Sequence, residues 1–323
     1  MPRNSKVRKF KRRRARKAGY QKLLRLFFLL AGLALVAGFT VRVLSAWNHR
    51  LWQGNARFTL MVTSDPPVLV SYQSDPGDLL TLSFPANTEI AGSFNLGNWS
   101  LESLAKLGDM REFRGQVLTK SLQYELRVPI DGWMGEGGNI LIGAQNGNGL
   151  WALLKGMFAT RETTNLTFFD QWRLFWEVRG LSAAQRRPLA AEKIGLAKQA
   201  RFADGQIGFK LDKEKIKTLA LRDLQDMIVS QENVGVGIVN TTDIAGVGEK
   251  AAGVINTMGA RVFWVRTQKG NVERCLIKTN SDSSGTLTVR RLAAIFNCEV
   301  KKDALAAPVE FMIGKGLAEE IPR

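Results

Sequence analysis

Side chains able to move protons, hold metals or attack carbonyls are few in this chain. The one histidine, His49, stands beside an apolar run. That removes Ser-His-Asp and Cys-His catalysis and histidine-rich metal sites from the folded portion. The two cysteines, Cys275 and Cys298, fall in a strand-like segment and just after the helix-like segment that follows it. Two readings stand for them: a disulfide worth about 3 kcal/mol in the chain-entropy model, or two small buried apolar side chains. Gly246-Val247-Gly248 followed by Ala251 fits the G-x-G-x-x-A dinucleotide pattern. Yet residues 241–245 separate the glycines from the strand, and Arg266 and Thr267 stand where a ribose-binding acid is wanted. No cofactor is therefore expected, and the glycines are read as permitting a turn and a close helix-strand approach. Asn98-Trp99-Ser100, Asn165-Leu166-Thr167 and Asn240-Thr241-Thr242 fit the glycosylation sequon and are assigned no role.

What positions these groups begins with the first fifty residues. A basic run stops abruptly at LLRLFFLLAGLALVAGFTVRVLSAW. As a helix, residues 23–47 reach about 37 Å, enough to cross a hydrocarbon layer of about 30 Å with some tilt. The uninterrupted apolar part, Leu26 to Val41, is short for a span. Arg25 and Arg42 are therefore placed near opposite interfaces with their guanidinium groups among headgroups, and Trp47 falls where an amphipathic ring prefers to sit. Residues 1–22 form a basic cytoplasmic tail by the positive-inside rule, which puts everything from about Asn48 onward outside. The competing reading is a cleaved signal peptide, against which Arg42 stands late in the run with no small-x-small site after it.

The net charge of +17 suggests nucleic acid when taken alone. Setting aside the twelve Lys and Arg residues from Arg3 to Arg25 leaves about +5, ordinary for an ectodomain. The expected partner of the tail is the lipid bilayer surface.

The ectodomain reads as α/β. RFTLMVTSDPPVLVSYQ and LLTLSFPANTEI flank a turn at Asp75-Pro76-Gly77-Asp78, and their Asp-Pro steps interrupt a ladder. A short helix through Leu101, Leu104, Ala105 and Leu107 ends at Gly108; another runs from about Gly115 to Leu126 and is stopped by Pro129. ILIGA is a strand among glycines. TFFDQWRLFWEVRG starts as a capping box at Thr167 and Asp170 and ends at Gly180. Its stripe of Phe168, Trp172, Phe175 and Trp176 is expected to pack into the core. Residues 181–232 are polar, with a helix from about Lys213 to Ile228 and a solvated Lys-rich run, and a boundary is placed near Gln231. In the last ninety residues VGVGIVN, a helix over residues 247–258 and RVFWVRT make a β-α-β unit. RVFWVRT is apolar on both faces and is expected at the sheet centre. ERCLIKT, a helix over Thr286 to Asn297 and PVEFMIG complete a small open-sheet domain.

The segment VGVGIVNTTDIAGVGEKAAGVINTMGARVFWV resembles the LytR C-terminal domain, with Asn240-Thr241-Thr242 where that domain has an Asn-Gly-Thr-type turn. This resemblance implies a small α/β domain over residues 233–323. LLTLSFPANTEI is similar to the strand and S-I-P-R-D-T loop of the LytR-CpsA-Psr catalytic domain, and LESLAKLG and VPIDGWM resemble its later helices. That implies a second α/β domain over residues 57–230. In the family such domains are membrane-anchored and transfer polyprenyl-pyrophosphate-linked glycopolymers to the cell wall.

Departures from the pattern fall at the chemistry. Ala86 stands for the loop's arginine, Asn87 for its aspartate, and Thr63 precedes Ser64-Asp65 where a second arginine is usual. Pyrophosphate needs guanidinium forks, and transfer needs carboxylate-held Mg²⁺. Asp65, Asp75, Asp78 and Arg111 or Arg114 are the residues left to rebuild such a site, and Asp-Pro and Asp-Gly steps are also ordinary turn formers. The expectation is a non-catalytic, single-pass envelope protein that binds or scaffolds cell-wall glycopolymer or polyprenyl lipid. The alternatives are an active Mg²⁺-dependent phosphotransferase with a rearranged site, and a tethered regulator using its basic tail on nucleic acid.

Overall fold

The computed structural model describes residues 29–323 other than 31, 34, 39, 46, 48, 53–54, 111–112, 136–163, 203–204 and 304–308. The chain divides into two units after His49. In the first, the described residues between 29 and 47 are helical, and Leu33, Leu35, Val41, Arg42 and Trp47 are exposed. Among the described residues, no helix is long and apolar enough to cross a membrane. Arg25 and the basic tail lie outside the described residues.

The second unit, Arg50–Arg323, is mixed α/β. Strands β1 (Phe58–Val62), β2 (Val68–Gln73) and β3 (Asp78–Ser83) form an antiparallel meander, flanked by β6 (Gly132–Met134) and β7 (Arg186–Ala190) in the order β6-β1-β2-β3-β7. The two meander turns carry Asp65-Pro66 and Asp75-Pro76, where proline withholds a ladder donor. Successive residues of β1 and β2 face opposite sides, and both sides are covered. Phe58, Leu60, Val70 and Tyr72 pack on Leu174, Phe175 and Val178 of helix α3 (Phe168–Arg179), together with Trp52. Met61 and Leu69 face the other way, with Leu80 and Leu82, onto helices α1 (Leu101–Met110), α2 (Gly115–Leu126) and α4 (Lys213–Asp223). Burial of either whole face, at about 25 cal/mol per Å² of apolar area, fixes the register, because a one-residue slip would send each set of side chains to the opposite face, against packing shaped for the other.

A second sheet, β5-β4-β9-β8, joins two hairpins: β4 (Thr88–Gly92) with β5 (Gly97–Ser100), and β8 (Ala197–Arg201) with β9 (Ile207–Leu211). Thr88 to Ile90 of β4 fall in the stretch LLTLSFPANTEI expected as β-structure, whereas β5 falls in a Gly/Asn-rich passage and the β8–β9 hairpin in a polar one. The helix expected from Lys213 to Ile228 is in fact two: Asp226 caps a separate helix α5 (Met227–Glu232), accepting the amides of Ile228 and Val229. ILIGA lies outside the described residues.

The third sheet runs β11-β10-β14-β12-β13, from β10 (Gly235–Asn240), β11 (Arg261–Thr267), β12 (Cys275–Thr279), β13 (Glu299–Lys302) and β14 (Val309–Ile313). Its core is filled by α6 (Val247–Met258), α7 (Leu287–Phe296) and α8 (Lys315–Glu320), and also takes in Ala56, Tyr124 and Val229. RVFWVRT, expected at the centre, is the edge strand β11. The register of β10 against β11 shifts between Val236 and Gly237, leaving Phe263 as an extra residue. Phe263 and Trp264 therefore both turn to the face away from the helices, over Gly235 and Gly237, where a Cβ would overlap their rings. The run of apolar letters came from this aromatic cover over two glycines, not from burial on both faces.

Candidate functional site

Among the described residues, only one of the carboxylates singled out from the sequence, Asp78, meets arginine, and the arginines are not the expected ones. Asp78, at the start of β3, accepts a two-pronged pair of hydrogen bonds from Arg187 of β7, at 2.8 and 2.7 Å. The third guanidinium nitrogen of Arg187, Nη1, donates to Asp223 at the end of α4, at 2.9 Å, and Asp223 also receives Arg222. The Oδ2 atom of Asp78 also lies 3.9 Å from Arg57 Nη2. Arg57 is nearly fully buried; its Nε donates to the carbonyl of Gln225 and its Nη1 to Ser71 Oγ. Its backbone amide donates to Asp226, whose carboxylate also receives Arg291 of α7. Arg291 in turn grips Asp131 at 3.0 and 3.1 Å, and Asp131 takes the Thr59 amide at 2.8 Å.

The result is an alternating chain of eight charges: Arg222, Asp223, Arg187, Asp78, Arg57, Asp226, Arg291 and Asp131. It threads from the surface at α4 to a buried end where Arg291 is 3 % exposed and Asp226 1 %. Alternation is what permits this burial, since each charge desolvated by the fold has an opposite neighbour. Hydrogen bonds donated to Asp78 raise the Arg187 guanidinium further above its ordinary value. Burial acts to raise the Asp223 carboxyl, but hydrogen bonds from Arg222 and Arg187 outweigh it and hold the group below the usual carboxylate range. Burial and the flanking carboxylates act oppositely on Arg291, and the carboxylates win.

Asp65 and Asp75 are not brought together. They sit in the turns at opposite ends of β2, a six-residue strand of about 20 Å. Arg114 precedes α2 with φ of 51°, its amide bonded to the Gly108 carbonyl at the α1–α2 corner. Arg111 lies outside the described residues. In the loop after β3, Asn87 is part of the second sheet: its carbonyl accepts Phe209 N–H and its Nδ2 donates to the Ile207 carbonyl, both at 3.3 Å. The Ala86 carbonyl accepts the amide of Glu102, the second residue of α1.

Elsewhere, a cavity of about 180 Å³ is lined by Lys120, Asp131, Trp133, Arg274 and Glu320. Lys120 Nζ donates to the Ile295 carbonyl at 2.9 Å, and burial lowers its affinity for the proton. Arg274 and Glu320 pair at 2.6 Å. Cys275 and Cys298 are joined by a disulfide with Cα atoms 5.0 Å apart. Among the described residues no group of three or more His, Cys, Asp or Glu side chains is arranged to hold a metal ion. Gly246 has φ of +80° and Gly248 lets α6 approach Val265. Asn240 is buried, its side chain bonded to the Ile244 carbonyl and to Thr242.

Arg57, Arg187 and Arg291 were not singled out in the sequence. Arg291 did carry a signal, because Leu287, Arg291 and Ile295 share one face of a helix whose other residues there are apolar.

No family model matches the chain, and no curated protein matches it. Among solved structures it is similar to TagV of B. subtilis, at 12 % identity and a TM-score of 0.38, over 52 % of this chain and 97 % of that one. It is likewise similar to TagT bound to LIIa-WTA, at 13 % identity and a TM-score of 0.38, over 53 % of this chain and 91 % of that one. A third is the LytR-CPS2A-psr family protein YwtF (TagT) with bound octaprenyl pyrophosphate lipid, at 15 % identity and a TM-score of 0.37, over 51 % and 88 %.

Proposed function

We propose that the chain is a membrane-anchored, extracytoplasmic envelope protein that binds or scaffolds glycopolymer or polyprenyl lipid without transferring it. The N-terminal apolar run anchors it, and the basic tail faces the cytoplasm. The observation that carries the non-catalytic half is the state of Asp78 and Asn87. A pyrophosphate site requires guanidinium forks free to receive phosphate oxygens and carboxylates free to hold Mg²⁺. Asp78 is instead held between Arg187 and Arg57, and each of the three guanidinium nitrogens of Arg187 already donates to Asp78 or Asp223. Asn87, where the family resemblance asks for an aspartate, is committed to holding β9. These contacts are what a structural role for Asp78, Arg187 and Asn87 requires.

The test is direct. The full chain in detergent, incubated with Mg²⁺ and a polyprenyl pyrophosphate, releases no phosphate above a blank. Release that depends on both Mg²⁺ and protein overturns the non-catalytic reading.

A further inference from the structure

Helix α3 buries Asp170, Gln171, Leu174, Phe175 and Val178 against the first sheet. Of the stripe expected in the core, Phe175 is there, but Phe168, Trp172 and Trp176 lie on the opposite side. Trp172 is 41 % exposed and Trp176 50 %, and Phe168 is partly exposed beside them. Spaced four residues apart, the three rings form one unbroken row, with centroids 5.8 Å apart at both steps. The Arg179 guanidinium closes the row 5.7 Å from the Trp176 ring. The solvent side of a helix is ordinarily polar, so a row of two indoles and a phenyl marks a surface meant to be covered. Indole combines a wide apolar body with one polar N–H, which suits a boundary that is apolar on one side and wet on the other.

A second observation says what covers it. The amides of Leu51 and Trp52 both donate to the Asp170 carboxylate, at 3.1 and 3.0 Å. Asp170 is also the acidic member of the capping box that starts α3. Leu51 follows Trp47, the end of the apolar run, by four residues. Four residues span at most about 14 Å, so the start of α3 is held within that reach of the point where the chain leaves the run. A surface so tethered meets the bilayer at a high effective concentration before any soluble partner.

We infer that the Phe168, Trp172 and Trp176 side of α3 lies in the headgroup layer of the lipid bilayer, with Arg179 reaching lipid phosphate. The ectodomain thus rests on the membrane along this helix and does not hang free on its linker. This inference rests on the anchored reading proposed above.

The experiment uses the full chain in lipid nanodiscs containing phosphatidylcholine and phosphatidylglycerol brominated just below the headgroups. The emission lost on replacing both indoles, wild type minus W172F/W176F, isolates the row; wild type minus W47F isolates the anchor end. The row's emission is expected to be largely quenched by brominated lipid and protected from aqueous iodide. Quenching by iodide but not by lipid overturns the inference, because the helix then faces water. Protection from both overturns it too, because protein then covers the row. If Trp47 emission is lipid-quenched and the row's is not, this inference falls alone; if neither is, the anchored reading falls with it.

Discussion

Arg291→Met tests the buried end of the charge chain. Arg291 supplies Asp131 with both its side-chain donors and Asp226 with one of its four. After the substitution Asp226 keeps the amides of Arg57, Ile228 and Val229, but Asp131 keeps only that of Thr59. Asp131 is therefore the orphan, a carboxylate with an 8 % exposed side chain and no cation. Removing one partner of a buried ion pair costs about 3–5 kcal/mol, since the remaining charge must stay desolvated or take a proton. At a urea m-value of about 3 kcal/mol/M, a loss of about 4 kcal/mol lowers the unfolding midpoint by about 1.3 M. The assay is urea unfolding of the full chain in detergent, followed by far-ultraviolet circular dichroism. Adding Asp131→Asn to Arg291→Met removes the stranded charge while leaving an acceptor for Thr59, so the double variant recovers much of the loss. A loss under about 1 kcal/mol in the single variant, or no recovery in the double, refutes the claim that these charges are dry and mutually dependent.

Three further outcomes follow from particular contacts. Because the Asp223 carboxyl is held below its ordinary value in the fold, it contributes stability above about pH 4 and loses it as pH falls through the folded value. The gap in urea midpoint between wild type and Asp223→Asn therefore narrows on acidification, and a gap independent of pH contradicts it. Replacing Cys275 and Cys298 by alanine reopens a loop with a sequence separation of 23, at a cost of about 3 kcal/mol read from the midpoint without reductant. A midpoint unchanged by this or by reductant in the wild type counts against the bridge. Gly237→Val drives the Trp264 ring off the sheet, shifting its emission to the red and costing about 1–3 kcal/mol as overpacking does; an unmoved spectrum contradicts the glycine bed.

How far the fold was legible depended on whether the cue was local. The capping box at Thr167 and Asp170, the Asp-Pro turns and the helix ended by Gly259 each follow from a few neighbouring residues, and each is present. The β8–β9 hairpin was missed because AKQAR and IGFKL are half-exposed strands, stabilised chiefly by pairing with each other and with β4. Such pairing leaves little period-two hydrophobicity to read. RVFWVRT failed for the opposite reason. A bulge puts two consecutive aromatics on one face, which in one dimension looks like burial on both.

The candidate site was legible in type but not in partnership. Asp78 looked like a turn residue or a remnant ligand because its partners, Arg57 and Arg187, are 21 and 109 positions away and only strand pairing brings them near. Asp226 was legible in principle as a helix cap, yet the same carboxylate receives Arg57 from ahead of β1 and Arg291 from α7. One cap thereby joins the first sheet to the helices of the third. Paired charges are thus a means by which the sheets of the second unit are fastened together.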